Sequence, residues 1–275
     1  MLTSRECASA PGGGVRIASG GGITWQHLDL IRELAAAQVK QRDQSTLLGF
    51  GWSFLHPLLL LALLYTFFHA RLGQEIAFYP IFLLVGLVHY THFSNATTSA
   101  GNSLVALTHL TRDTVFPKML LVVAAVIASS VEFVVSMSIC LVVAALAGVP
   151  LRPTVLLLPL VLLLQGWTVL WISLLLSCCY VFAKDTSHLH QVFLRVLFLA
   201  TPIFYHPDFL GDGVAQSVLL ANPLAHFVQW SRTLVIDGEL LAPGPVFAVV
   251  VVNLVATYVS LRVFRHCEPV FAERV

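Results

Sequence analysis

The chain has 275 residues, 57% of them hydrophobic and only 11% charged, and 15 Lys and Arg against 14 Asp and Glu leave a formal net charge of +1. A soluble domain carries about 25% charged residues, so this composition excludes an ordinary globular enzyme, and its near-neutral balance argues against a nucleic-acid partner. The 5 cysteines form no C-x-x-C pair, which indicates neither a disulfide framework nor a zinc site.

Residues 1–24 are rich in Gly, Ser and Ala and lack an apolar run. They read as a loose tail rather than a cleaved signal peptide. From Trp25 the pattern takes a helical period: His27, Leu30, Ile31, Leu34 and Ala37 share one face, and Asp29, Arg32, Glu33, Lys40 and Asp43 the other. An apolar stripe opposite charges suits a helix lying in the membrane interface, expected over 25–48. The first span, about 52–70, follows without one charge. A bilayer core of about 30 Å takes about 20 apolar residues to cross. Pro57 near its start predicts a kink rather than a stop, because neighbouring helices satisfy the freed carbonyl.

The second span, about 80–98, ends in a run of small and polar residues from Ser94 to Gly101, the kind that lets helices approach closely in lipid. A polar loop to Lys118 leads into long third and fourth spans, about 119–147 and 154–182, joined by a tight turn. After a polar loop at 183–191, the fifth apolar run, about 192–205, is short and stops at Thr201-Pro202. Residues 206–245 are half-apolar and broken by Pro and Gly, which reads as one or two short re-entrant helices. A sixth span, about 246–264, precedes a charged tail. The expected fold is therefore an all-α polytopic membrane protein with six spans. Placing both termini inside puts Arg71, Arg152 and Arg232 outside and the other twelve basic residues inside. The positive-inside rule favours that orientation.

Chemistry-bearing motifs are scarce. No G-x-x-x-x-G-K-[ST] occurs, so the chain has no P-loop with which to hold ATP phosphates. His89 and His92 sit at helical spacing but no third metal ligand accompanies them, which favours packing. Glu132 is the one acid well inside a span, and intramembrane carboxylates are costly. A hydrogen-bonded structural or lumen-facing role is expected for it.

Several stretches in order resemble the membrane subunit of an ABC-2-type exporter, in the branch that exports lipid-linked polysaccharides such as O-antigen, capsule or teichoic acid. They are LLGFGWSFLHPLLLLALLYTFF, YPIFLLVGLVHYTHFSNATTSAGNSL, TRDTVFPK, AKD, TPIFY and NPLAHFVQWSRTLV. The resemblance implies a homodimeric, twelve-span channel in the cytoplasmic (inner) membrane, with two copies of a separate ATPase subunit that bring the ATP and Mg. This chain would hold no cofactor and no metal and would not be an enzyme. Coupling to the ATPase is expected through Arg112, Asp113, Phe116, Pro117 and Lys118, and through Lys184 and Asp185. A sliding glycan needs many weak contacts, which aromatic faces provide. Trp167 and Trp171 lie about 40° apart on one helix face and are the expected pair on the path, with Tyr65 and Tyr90 as further candidates and Tyr205 near the outer gate. Two other readings stay open: an ABC-2 permease for a drug or small amphiphile, and an integral-membrane enzyme acting on polyprenyl-linked sugars.

Overall fold

The computed structural model describes residues 25–44, 51–72, 76–106, 117–183, 185–206, 213 and 222–274. The described residues are helical, with no strand among them: α1 (Trp25–Gln44), α2 (Gly51–Leu72), α3 (Tyr79–Ala106), α4 (Met119–Leu146), a 3-10 turn (Pro153–Leu157) leading into α5 (Leu158–Phe182), α6 (Thr186–Ala200), α7 (Pro223–Arg232) with a π turn (Thr233–Asp237), and α8 (Pro243–Arg274).

Among the described residues, three helical stretches are long and apolar enough to cross a membrane: Met119–Leu146, Pro153–Phe182 and Pro243–Phe271. The apolar run in α2, Leu55–His69, is shorter. Pro57 lies inside α2, and the helix continues through it. Helix α6 begins at Thr186, inside the stretch expected as a loop, and ends at Ala200 rather than at 205. Its end has a local cause: Thr201 precedes a proline and takes an extended conformation (φ −88°, ψ 134°), which the proline ring enforces. Helix α8 runs on through Pro269 to Arg274, into the expected tail.

The helix that organises the packing is α3. Every residue from Ile81 to His89 is buried. Three core clusters are stacked along it. The first gathers Tyr79, Phe82, Leu83 and Leu87 with Leu64 of α2 and Ile203. In the second, Ile81, Leu84 and Val85 meet the last half of α4, the start of α5 and Phe227 and Trp230 of α7. The third joins Phe93, Ala96, Ala100 and Leu104 to the start of α4, the end of α5, Leu194 of α6, Leu224 of α7 and Phe264 and Phe271 of α8. Helices α3 and α4 are thus antiparallel, and α7 spans two of the clusters.

Small residues make the close approach possible. Ala96 and Ala100 are 0% exposed, and a Cβ added at Gly101 would stand 3.2 Å from Leu176 Cδ2 and 3.4 Å from Tyr180 Cε2. Helix α1 packs against α4, turning Ala35 inward while Asp29, Arg32, Glu33 and also Ala37 stay exposed. The buried stripe is therefore rotated slightly from the expected one.

Candidate functional site

Three polar constellations cross the apolar packing. The first ties α7 to α3 and to the break after α6. Asn222 caps α7 by accepting from the Leu224 amide (3.0 Å) and donates to Thr201 Oγ1 (2.9 Å). At the other end of α7, Arg232 is 2% exposed. Its Nε and Nη2 donate to the Phe82 carbonyl (3.1 and 2.9 Å), Nη1 to Pro202 O (2.6 Å) and Nη2 to Ile203 O (2.7 Å). The guanidinium also lies 3.4 Å over the Phe82 ring, a cation–π stack. A rigid planar fork reaches carbonyls spread along its edge, which the three donors of a compact lysine ammonium cannot all meet from one position. These carbonyls are available for a reason. Pro202 has ended a helix, and the Phe82 oxygen, opposite Gly86 one turn on, lies open because no Cβ covers it. The π turn beyond is held by Thr154 Oγ1, which donates to Leu234 O (3.0 Å), and by Arg152 Nη1, which donates to Asp237 O (3.3 Å). Burial raises the Asp237 carboxyl above the usual aspartate range, with Glu239 adding to the rise.

The second constellation lies midway along α3. Gln165 of α5 donates through Nε2 to His89 O (3.0 Å) and to His92 Nδ1 (3.2 Å), and its Oε1 takes a short hydrogen bond from His89 Nδ1. Phe133 of α4 stacks on His92 at 4.1 Å and meets His89 edge-on at 5.2 Å. On the other side of α5, Trp167 Nε1 donates to Thr257 Oγ1 (2.8 Å), while Trp171 Nε1 (2.8 Å) and Thr168 Oγ1 (3.0 Å) both donate to Asn253 Oδ1. Residues four apart on one helix thereby meet residues four apart on its neighbour.

The third lies toward the Ala106 end of α3. His190 of α6 bonds Thr97 Oγ1 through Nε2 (3.3 Å) and the Tyr180 hydroxyl through Nδ1 (3.0 Å), joining α3, α5 and α6. Nearby, the Glu268 carboxylate of α8 accepts from the Lys118 amide (3.2 Å), an acid on the positive end of the α4 dipole.

The residues singled out from sequence are spread over these places. Arg112, Asp113, Phe116 and Lys184 lie outside the described residues. Lys118 is buried at the head of α4, and Asp185 is exposed just before α6. Trp167 and Trp171 do share a face of α5, and both indole N–H groups are engaged by α8. Tyr65 stacks on His69 at 4.4 Å. Tyr90 donates to Leu194 O (3.0 Å) and Tyr205 to Leu199 O (3.3 Å). Glu132 lines a small cavity together with His92. Arg232, which the positive-inside count places on the outer side, is buried at the end of α7. Gln165 and Asn253, each a lone amide in an apolar run, drew no attention from sequence, although that isolation is itself the signal.

Together the long apolar helices and the buried polar cross-ties define a multi-pass helical membrane protein. The sequence also matches the family model described as ABC-2 type transporter over residues 29–236. The chain belongs to that family. It is similar to the O-antigen export system permease protein RfbA of Myxococcus xanthus, 27% identical over 252 residues that make up 91% of this chain and 97% of that protein. Two proteins of the same name from Klebsiella pneumoniae are 25% identical, over 246 and 248 residues, each match covering 89% of this chain and 94% of the relative.

Proposed function

We propose that the chain is the permease subunit of an ATP-driven exporter that carries a lipid-linked polysaccharide, of the O-antigen, capsule or teichoic acid type, across the cytoplasmic membrane. The observation that carries this reading is the near end-to-end match to relatives named as O-antigen export permeases, within a family of ABC-2 type transporters. A permease without a P-loop draws its energy from a partner, here two copies of an ATPase subunit that hold ATP and Mg.

In this reading two copies of the chain pair, α2, α3 and α6 cross the bilayer beside the three longest apolar helices, and both termini are cytoplasmic. Helix α1 lies along the inner interface. The Arg112–Lys118 segment and Lys184-Asp185 receive the ATPase. The segment from the break at Thr201 through α7 re-enters from the outer side, a reading supported by the two core clusters that α7 joins. The ring faces of Trp167 and Trp171 border the path while their edges grip α8, with Tyr65, Tyr90 and Tyr205 along or above it.

The test is reconstitution. In proteoliposomes the chain alone should hydrolyse no ATP, and with its ATPase partner a lipid-linked glycan should stimulate hydrolysis. Hydrolysis by the isolated chain would defeat the assignment, and so would stimulation by small amphiphilic dyes with none by the glycan. Reversing Asp113 and Lys118 together should abolish the stimulation while membrane insertion stays normal.

A further inference from the structure

Between α3 and α4, against Pro57 of α2, lies a cavity of about 20 Å³ lined by Thr91, His92, Asn95, Ser129, Glu132 and Ser136. Water needs about 10–15 Å³ and two to four polar partners, so the space takes one oxygen atom and little more.

The hydrogen bonds around it assign the donors. Gln165 Nε2 faces a carbonyl oxygen, that of His89, which makes it the amide nitrogen, and its second hydrogen goes to His92 Nδ1. A neutral His92 ring whose Nδ1 accepts carries its proton on Nε2. That Nε2, Ser129 Oγ and Thr91 Oγ1 are all buried and have no hydrogen-bond partner in the protein. His92 and Ser129 are 5% and 2% exposed. A donor on α3 and hydroxyls on α3 and α4 thus converge on one small space, with the Glu132 side chain at its wall. The ring N–H disfavours a metal ion there, and among the described residues no group of three or more His, Cys, Asp or Glu is placed to hold one. Asn95, which also lines the space, is exposed.

We propose that this cavity is a binding site for a single hydroxyl oxygen, which accepts from His92 Nε2–H and donates toward Ser129, Thr91 or Glu132. Water fills it at rest. Resting on the export reading above, a hydroxyl of the passing glycan replaces that water, which makes the site one weak, sequence-tolerant station on the path.

Solid-state NMR of the full chain, labelled with ¹⁵N in histidine and held in phosphatidylethanolamine–phosphatidylglycerol bilayers, tests both sources. His89→Gln and His92→Gln assign the two rings. The expected spectrum has His92 protonated on Nε2 and receiving magnetisation from water. Ser129→Val, which fills the space with methyl groups, should abolish that transfer and leave the His89 signal, held by Gln165, in place. A His92 proton on Nδ1, or water transfer undiminished in Ser129→Val, overturns the site. In the second arm, ¹³C-labelled methyl glucoside should give a carbon–nitrogen contact at His92 that vanishes in Ser129→Val. Water transfer without any sugar contact overturns the glycan half. None of these outcomes bears on ATP-driven export, which the reconstitution reads separately.

Discussion

Gly86 and Arg232 show how one side chain dictates another. A Cβ placed on Gly86 would lie 2.8 Å from Arg232 Nη2 and 3.2 Å from Ile203 Cγ2. The contact with Ile203 Cα at 3.3 Å is backbone and gives little. Glycine is required here for space. Overpacking of this kind costs about 1–3 kcal/mol. Gly86→Ala should lower the unfolding midpoint of the detergent-solubilised protein by several degrees in a thermal melt. Arg232→Lys should cost more than Gly86→Ala, because a single ammonium cannot reach the three carbonyls that the fork serves and each abandoned buried acceptor costs about 1–3 kcal/mol. A Lys variant as stable as the parent would show that the fork geometry is immaterial. The sequence alone could not expose this pair. The Phe82 carbonyl is 150 residues away from Arg232, and charge counting treats every arginine as if it sought water.

At the scale of elements, the seam between α5 and α8 separates two roles of an indole. Its edge donates to Thr257 or Asn253, and its face remains half-buried. Phenylalanine keeps a face and loses the donor. Trp167→Phe, Trp171→Phe should therefore retain most glycan export while lowering stability by about 1–3 kcal/mol, since Thr257 Oγ1 loses its indole donor and Asn253 Oδ1 keeps only Thr168. Trp167→Ala, Trp171→Ala should slow export severely even when the protein still assembles. Equal export by the two double variants would place both rings in packing alone. Helical periodicity brought the two tryptophans onto one face, as the structure has them. It could not say what they would touch, since Asn253 looks like any polar residue until its neighbour is known.

For the molecule as a whole, high hydropathy did not mark the central helix. In the most apolar stretches of α4, α5 with its 3-10 turn, and α8, the buried share falls from 61% to 33% to 11%. Leu59, Leu63 and Phe67 of α2 are exposed as well. The helix at the centre is α3, which carries His, Thr, Ser and Asn and stays outside the set of three apolar spans. An apolar run can be read from sequence because it meets a uniform solvent. A central membrane helix meets particular neighbours, and its mixed composition records them one by one. The exposed apolar faces of α2, α6 and α8 suit lipid or a second copy of the chain. Orientation can be checked by single cysteines at two exposed positions. In intact cells Glu239→Cys should react with an impermeant thiol reagent and Arg265→Cys should not. The reverse pattern would invert the proposed topology.

The polar make-up of α3 also bears on how the protein is made. A segment with two histidines, three threonines and an asparagine from Tyr79 to Thr98 partitions poorly into hydrocarbon by itself. Its backbone satisfies its own hydrogen bonds, but His89 and His92 find theirs on Gln165, which is synthesised 73 or more residues later. The polar side chains of α3 are therefore complete only once α5 is in place. Insertion of α3 should depend on the later helices: a chain truncated before α5 should retain α3 in the bilayer poorly.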